Sequence, residues 1–463
     1  MILSDTISAI ATPNGEGGIG IIRLSGPLAI PISTVLFHSS RQVSDRKSYT
    51  INHGKVIDPE SREVIDEVLL SVFRSPKSYT TEDIVEFNCH GGSVILRRVL
   101  ELTLEHGARI ANPGEFTKRA FLNGRIDLAQ AEAVIDLIQA KSDIARQVAV
   151  DQLGGKLSQA IESINEQVVG LLAEIEAMID FPDEDLDFMD FSRILQTAKE
   201  IRWLLDELIA TANDGRIMRE GVNCAILGKP NVGKSSLLNA LLETDRAIVT
   251  EIPGTTRDTI EESVTINGIP LNLVDTAGLR ETDNLIEQHG VERSKSFLAE
   301  ADLLLVMISV AEPMDSVDID LLNSVVDRDA VIILNKIDLP MKTCLAHVKD
   351  QVLDKQIIET SILHGKGIEN LKSAISTEVL GSHEVGDSRT SVSTIVTNVR
   401  HYNALRQAKA DLNCAIDSLC QQQSPEFVAL DLRGCLDQLG EIVGKTTNED
   451  ILGRIFSQFC VGK

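Results

Sequence analysis

The 463-residue chain has seven cysteines, an odd number, and no C-x-x-C pair. That leaves no spacing for a zinc ribbon and argues against a disulfide framework. Cys89, Cys224, Cys344, Cys414, Cys420 and Cys435 are expected to be small core residues. Cys460, close to the end of a polar tail, is the exception. Long hydrophobic runs are also missing: Ala301 to Ala311 is too short to span a bilayer and contains Asp302. No basic-plus-apolar signal opens the sequence, so a cytoplasmic location is expected. Basic charge is scarce, with 44 Lys and Arg against 69 Asp and Glu, a net charge of −25. This argues against a general nucleic-acid binder, whose affinity comes from neutralising phosphates, without excluding a local basic patch. Eight acids and no Lys or Arg fall within Leu171 to Asp190. A solvated helix end and loop explains them more simply than a cation site.

What is present suggests about three domains by length. The first 118 residues alternate in strand fashion: Thr6 to Thr12 and Ile19 to Leu24 flank the turn signal Asn14-Gly15. Val64 to Phe73 and Ile84 to Asn88 read as further strands and Gly92 to His106 as a helix, together an α+β domain. From about Phe121 the period changes. Apolar residues from Leu128 to Ile175 recur at helical spacing for nearly fifty residues, and Ile201 to Ala210 adds another helix. Their partners appear much later, as helices over Asn398 to Cys420, Glu426 to Val443 and Asn448 to Phe459. Between the two sets, about Gly221 to Leu380 alternates apolar runs with amphipathic helices. The economical reading is a discontinuous helical domain (119–218 and 381–463) with an α/β domain (219–380) inserted into it.

The inserted segment carries a phosphate-binding signature. Val222 to Leu227 is a short strand, Gly228-Lys-Pro-Asn-Val-Gly-Lys-Ser235 follows, and Ser236 opens a helix. Glycines let backbone N–H groups close on phosphates, and the helix N-terminus adds a favourable dipole. Lys234 should reach the β- and γ-phosphates and Ser235 should ligate magnesium. Asn231, Val232, Gly233 and Ser236 complete the contact set. Leu271 to Asp275 then delivers an Asp, followed by Thr276, Ala277 and Gly278, toward the γ-phosphate. Val331 to Leu334 ends in Asn335-Lys336-Ile337-Asp338, where a carboxylate can accept both hydrogens of guanine's N1 and 2-amino edge, which adenine does not offer. Ser361, after another apolar run, stands where main-chain contacts back the base. The nucleotide is read as GTP. Thr250-Glu251-Ile252-Pro253-Gly254-Thr255-Thr256 suits a switch segment that orders on γ-phosphate and magnesium.

The remainder narrows the reading. Asp5-Thr-Ile-Ser-Ala-Ile-Ala-Thr-Pro13, Tyr79-Thr-Thr-Glu-Asp83, His90-Gly-Gly92, Asn112-Pro-Gly-Glu-Phe-Thr-Lys-Arg-Ala-Phe-Leu-Asn-Gly-Arg-Ile-Asp-Leu128 and the terminal Cys460-Val-Gly-Lys463 resemble the tRNA modification GTPase MnmE (TrmE) family over essentially the whole chain. The inserted domain is similar to Ras-like P-loop GTPases. The resemblance implies a homodimer whose N-terminal domain (1–118) binds a tetrahydrofolate derivative, in a 5-formyl or methylene form, through Arg23, Glu82, Arg125 and Lys463. It implies a flavoprotein partner, MnmG (GidA), in a heterotetramer or larger complex, and modification of carbon five of the wobble uridine of certain tRNAs with an aminomethyl-type group. It also implies potassium held by Asn231, Thr250, Ile252 and Thr255, beside magnesium on Ser235 and Thr256.

Two catalytic assignments follow from it. Gly278 is followed by Leu279, which cannot orient an attacking water, and the resemblance singles out Glu287 instead, acting through an intervening water. Cys460, next to the folate-contacting tail, is a nucleophile or merely lines the pocket. A regulatory GTP switch that binds RNA or ribosomes without modification chemistry is the rival reading; it would call for a basic appendage after the α/β segment. A folate-binding aminomethyltransferase fused to an unrelated GTPase would explain the N-terminal half only.

Overall fold

In the computed structural model, residues 5–13, 15–180, 191–245, 262–275, 301–343, 348–349, 351–352, 354–380 and 394–463 are described. The alternation at the N-terminus folds into a seven-stranded sheet of β1 (Ile7–Ile10), β2 (Gly17–Ser25), β3 (Phe37–His38), β4 (Thr50–Ile57), β5 (Val64–Phe73), β6 (Ile84–Gly91) and β7 (Arg109–Ile110). The order is β3-β4-β5-β6-β2-β1-β7, antiparallel except where β7 joins β1. Period two puts Ile22, Leu24, Leu70, Val85 and Phe87 on one face, where they bury against the helices Ala29–Leu36 and Ser93–Glu105. The other face carries the cross-strand row Ile51, Ser71, Glu86 and Arg23.

The long helical stretch is three helices, not one: Leu128–Gln139, Asp143–Leu153 and Lys156–Asp180. The apolar period runs on through both breaks, which is why it reads as continuous. Ser142 caps the second helix by accepting from the Ala145 N–H, and Gly154-Gly155 separates the second from the third. Another helix, Glu115–Leu122, begins before the change of period at Phe121. Lys156–Asp180 and Phe191–Ala210 bury Leu157, Ile161, Val168, Ile201 and Leu205 in one cluster with Leu405, Leu412, Leu432 and Leu439. The latter belong to Val399–Cys420 and Pro425–Val443, on the far side of the inserted segment. Two chain-distant sets of amphipathic helices thus share one core.

The insertion is a six-stranded sheet of β8 (Val222–Leu227), β9 (Glu262–Ile266), β10 (Ile269–Asp275), β11 (Leu303–Ser309), β12 (Ala330–Asn335) and β13 (Gln356–Thr360). Its order is β13-β12-β11-β8-β10-β9, parallel but for β9. β11 and β12 are buried at every position, as parallel strands covered on both faces must be. The order reverses beside β8, so the segment after β8 opens at a topological switch point, where α/β sheets bind ligands.

The chain ends by returning to its start. The helix Glu449–Ser457 sets Leu452 and Phe456 against Ala120, Leu128 and Ile135. The last four residues then reach the start of the helix Glu115–Leu122: Gly114 N–H donates to Cys460 O (3.4 Å) and Phe116 N–H to Lys463 O (3.2 Å). The cysteines depart in part from expectation. Cys89, Cys224 and Cys435 are buried, but Cys414 and Cys420 are exposed along with Cys460. The helix carrying Cys414 and Cys420 has one face in the core, and a cysteine is small enough to sit on either. Burial pushes the thiols of Cys89 and Cys435 up to about 12 and that of Cys224 up as well, which makes them inert. Cys344 lies outside the described residues.

Candidate functional site

The loop after β8 is shaped by its backbone. Gly233 has φ +111, and a Cβ there would lie 2.5 Å from Asn335 Nδ2. That amide nitrogen donates to Val232 O at 2.8 Å. Asn335 Oδ1 accepts from Thr360 Oγ1 (3.2 Å) and from the Ile362 N–H (3.3 Å). One buried side chain at the end of β12 therefore ties the phosphate loop to the loop after β13. Lys234 starts the helix Lys234–Asp245 and donates to Gly228 O (2.7 Å) and Lys229 O (2.9 Å), a cation held at the mouth of the loop where phosphate oxygens would approach. Ser235 and Ser236 are exposed in the helix's first turn, and Asn231 is exposed with φ +64.

The residues expected to recognise the base converge on the same crevice. Lys336 has φ +68, and Asp338 accepts from Ser361 Oγ at 2.5 Å. The Ser361 hydroxyl holds the Asp338 carboxyl below its usual range, so it stays an acceptor for two N–H groups. Asp275 ends β10, beside β8. The segment Thr250 to Thr256, together with Thr276, Ala277, Gly278 and Glu287, lies outside the described residues.

A second polar cluster sits where the C-terminal tail meets the first sheet. Arg23, on β2, donates to Glu86 Oε1 (2.7 Å) and to Gly462 O (3.1 Å), and its guanidinium lies 5.6 Å from the Phe116 ring centroid. Two residues along, Ser25 donates to Glu82 Oε2 at 2.6 Å. Both Glu82 oxygens accept from Arg119 Nη1 at 3.1 Å. Arg119 is fully buried and also donates to Asp5 Oδ1 (2.9 Å) and Glu115 Oε1 (3.0 Å). Burial pulls the carboxyls of Asp5 and Glu115 up, but the arginines outweigh it and both end below their usual range. Arg23, Glu82 and the Lys463 backbone thus come together. Arg125 is placed apart, 4.8 Å over the Tyr79 ring and lining a cavity of about 460 Å³ with Tyr49, Phe73, Lys77 and Asn123. Cys460 is exposed, three residues from the chain's last.

Comparison with known proteins covers both clusters at once. The family model "GTP-binding protein TrmE N-terminus" matches residues 6–125, and "MnmE helical domain" matches residues 128–460. The chain belongs to the MnmE family of tRNA modification GTPases. It is 49% identical over 461 residues to the tRNA modification GTPase MnmE of Thermoanaerobacter pseudethanolicus (strain ATCC 33223 / 39E), covering 99% of each chain. The protein of that name from Alkaliphilus metalliredigens (strain QYMF) is 47% identical over 465 residues, covering all of both chains. That from Staphylococcus aureus (strain Newman) is 46% identical over 460 residues and 99% of each. This MnmE-family chain is a GTPase.

Sequence reasoning missed the centre of the N-terminal cluster. Arg119 stands inside the quoted motif, four residues after Glu115 and between apolar Phe116 and Ala120. That spacing puts an arginine beside a glutamate one helical turn away, which was the available signal, though it does not say that the pair is buried. Glu86 and Lys229 were missed as well. Lys229 bridges the phosphate loop to Asp315 (2.5 Å) and Asp318 (2.6 Å) at the start of the helix Ser316–Asn323. Among the described residues, no helix is long and apolar enough to cross a membrane.

Proposed function

We propose that the chain couples GTP hydrolysis to modification of carbon five of the wobble uridine of certain tRNAs, acting as a homodimer with a flavoprotein partner in the cytoplasm. In this reading residues 1–118 bind a tetrahydrofolate one-carbon donor, 119–218 with 381–463 form the helical frame, and 219–380 form the GTPase domain. The single observation that carries it is Asn335. It joins the loop that cradles phosphates to the loop that backs the base, so one crevice can take a whole guanine nucleotide.

Within that crevice Lys234 takes the β- and γ-phosphates, and Asp338, fixed by Ser361, accepts from the guanine edge. The exposed positions of Ser235 and Asn231 suit ligation of magnesium and of potassium, with Thr256 completing the former and Thr250, Ile252 and Thr255 the latter. Bound there, the two cations supply positive charge to the phosphate oxygens. Glu287 orients the attacking water. At the tail, Arg23 offers a cation for a carboxylate and Glu82 a carboxyl acceptor for an N–H edge, a chemistry suited to a folate. Cys460 is near enough in sequence to that tail to meet the one-carbon unit. Pairing of two copies is supported by the open end of one face of the first sheet, where Tyr49, Ile51 and Leu69 are exposed by 65%, 70% and 46%.

Nucleoside analysis of tRNA from cells lacking the protein tests the modification; unchanged wobble uridines would refute it. For hydrolysis, turnover should be much faster in potassium than in sodium. Glu287→Ala should lower turnover by about 10²–10⁴-fold with nucleotide affinity retained.

A further inference from the structure

The helix Leu128–Gln139 has two occupied faces that lead to different parts of the molecule. Leu128, Ala131 and Ile135, at spacings of three and four, pack with Leu452, Phe456 and Phe459, whose chain runs directly into Cys460 to Lys463. Glu132 and Asp136, four apart on another face, hold the two places where the chain passes between the helical frame and the GTPase domain. On the outgoing side, Arg219 Nε donates to Asp136 Oδ1 at 2.8 Å, in the helix Ala212–Glu220 that ends where β8 begins. On the returning side, Glu132 accepts from Asn398 (3.2 Å) and Arg400 (2.7 Å) and pairs with the His401 ring at 2.7 Å.

The two strands of chain are also bound to each other. Val396 N–H donates to Thr211 Oγ1 at 3.1 Å, and Gly215 lies so close to Val396 O that any side chain there would collide with it. Gln152 reaches Ile395 O and Thr397 Oγ1 from the neighbouring helix. Just past the helix's end, Lys141 Nζ donates to Asn272 Oδ1 (3.3 Å) and Lys141 O accepts from Thr265, both on the six-stranded sheet. Glu132 and His401 are buried, so opening the pair would leave the Glu132 carboxylate with Arg400 as its remaining cation.

We infer that the helix Leu128–Gln139 transmits the nucleotide state of the GTPase domain to the C-terminal tail, with Glu132 and Asp136 as the positioning residues that receive it. A movement of either crossing displaces these carboxylates, and a short packed helix passes the displacement on as a body because its opposite face is equally filled. The inference deepens the function proposed above and rests on its GTP reading. Contact becomes coupling only if nucleotide state alters the tail.

The exposed thiol of Cys460 reports on that tail. In the full-length chain, alkylation of Cys460 is followed by mass spectrometry of its peptide, with exposed Cys414 and Cys420 as internal controls. The rate is compared without nucleotide, with GDP, and with GDP plus aluminium fluoride, magnesium and potassium. It should differ between states by about fivefold or more, the lower end of measured couplings. Arg219→Gln, at a partly exposed position, and the stronger Glu132→Gln should each abolish that difference, with GTP turnover still within about twofold of the parent. Arg219→Lys should restore it, which a merely structural role would not require. An unresponsive Cys460 in the parent, or a response that survives in both variants, would overturn the inference. Failure of fluorescent GTP to bind the parent would instead overturn the GTP reading.

Discussion

The two candidate sites are built in opposite ways. The nucleotide crevice is made of backbone: the six residues Gly228 to Gly233 turn between a strand and a helix, and Asn335 pins the turn from one side. The N-terminal cluster is made of side-chain charge drawn from five stretches of chain, with Arg119 at its centre among Asp5, Glu82 and Glu115. A backbone site depends on conformation and is damaged by an added methyl group. A charge site depends on balance and is damaged by a missing partner.

The largest expected effect tests the first half of that contrast. Gly233→Ala should forfeit on the order of 4–6 kcal/mol of nucleotide binding, from strain at a positive φ together with lost Asn335 hydrogen bonds. That is roughly a 10³-fold or greater loss of affinity. Titration with fluorescent GTP checks it. The N-terminal domain should keep its thermal transition, and a matched loss there would break the comparison.

Arg119→Ala tests the second half. Removing the one buried cation leaves Glu82 without its cationic partner, and Asp5 and Glu115 held only by the partly exposed Arg109, a change worth about 3–5 kcal/mol. Thermal unfolding should show the first domain destabilised, with GTP affinity within about twofold of the parent. Destabilisation no greater than for an exposed arginine would show that the cluster is solvated rather than structural.

The contrast also explains what could be read from the sequence. Gly228 to Ser235, Asn335 and Asp338 were legible because a turn's requirements are local: glycine where φ is positive, lysine and serine at a helix start. Strand β5 was legible to the residue, since Val64–Phe73 is rich in β-branched and aromatic residues. The N-terminal cluster was reachable only through resemblance, because Arg23, Glu82 and Gly462 share no local pattern. Arg119 escaped even so; no spacing rule says which of several arginines will be buried. The breaks in the helical stretch escaped because apolar periodicity reports burial, not continuity, and it passes unchanged through Ser142 and Gly154.

A third cluster combines the two modes and responds to acid. Burial raises the Glu132 carboxyl, but His401 and Arg400 outweigh it and hold it at about 2, against an ordinary 4.5. The folded state therefore binds fewer protons than the unfolded state between these values, and the stabilisation is lost as pH falls from about 4.5 to about 2. Asp136, pushed up by burial, contributes with the opposite sign at higher pH. Glu132→Gln should be roughly 3 kcal/mol less stable than the parent near neutral pH. The gap should close on acidification through that window. Denaturant unfolding at several pH values checks it; a gap independent of pH would mean that shape, not charge, is what Glu132 supplies.

The smallest effect is expected where a side-chain charge enters the backbone-built site. Lys229 is the second residue of the phosphate loop, and its ammonium leaves the crevice to reach Asp315 and Asp318. Its carbonyl meanwhile accepts from Lys234. Burial alone would lower its affinity for a proton, but the two aspartates more than offset this and raise it, so Lys229 stays charged through the working pH range. Asp318 is buried and caps its helix reciprocally with Asp315, which keeps both acceptors in place without Lys229. Loss of the ammonium should therefore leave the helix intact and free only one edge of the loop. Lys229→Ala is expected to weaken GTP binding about two- to fivefold, the range of a partly exposed ion pair, and to lose even that difference at high salt. Titration of both proteins at low and high ionic strength is the measurement. A loss approaching that of Gly233→Ala would mean that charge shapes this loop as much as backbone does, and the division between the two sites would fail.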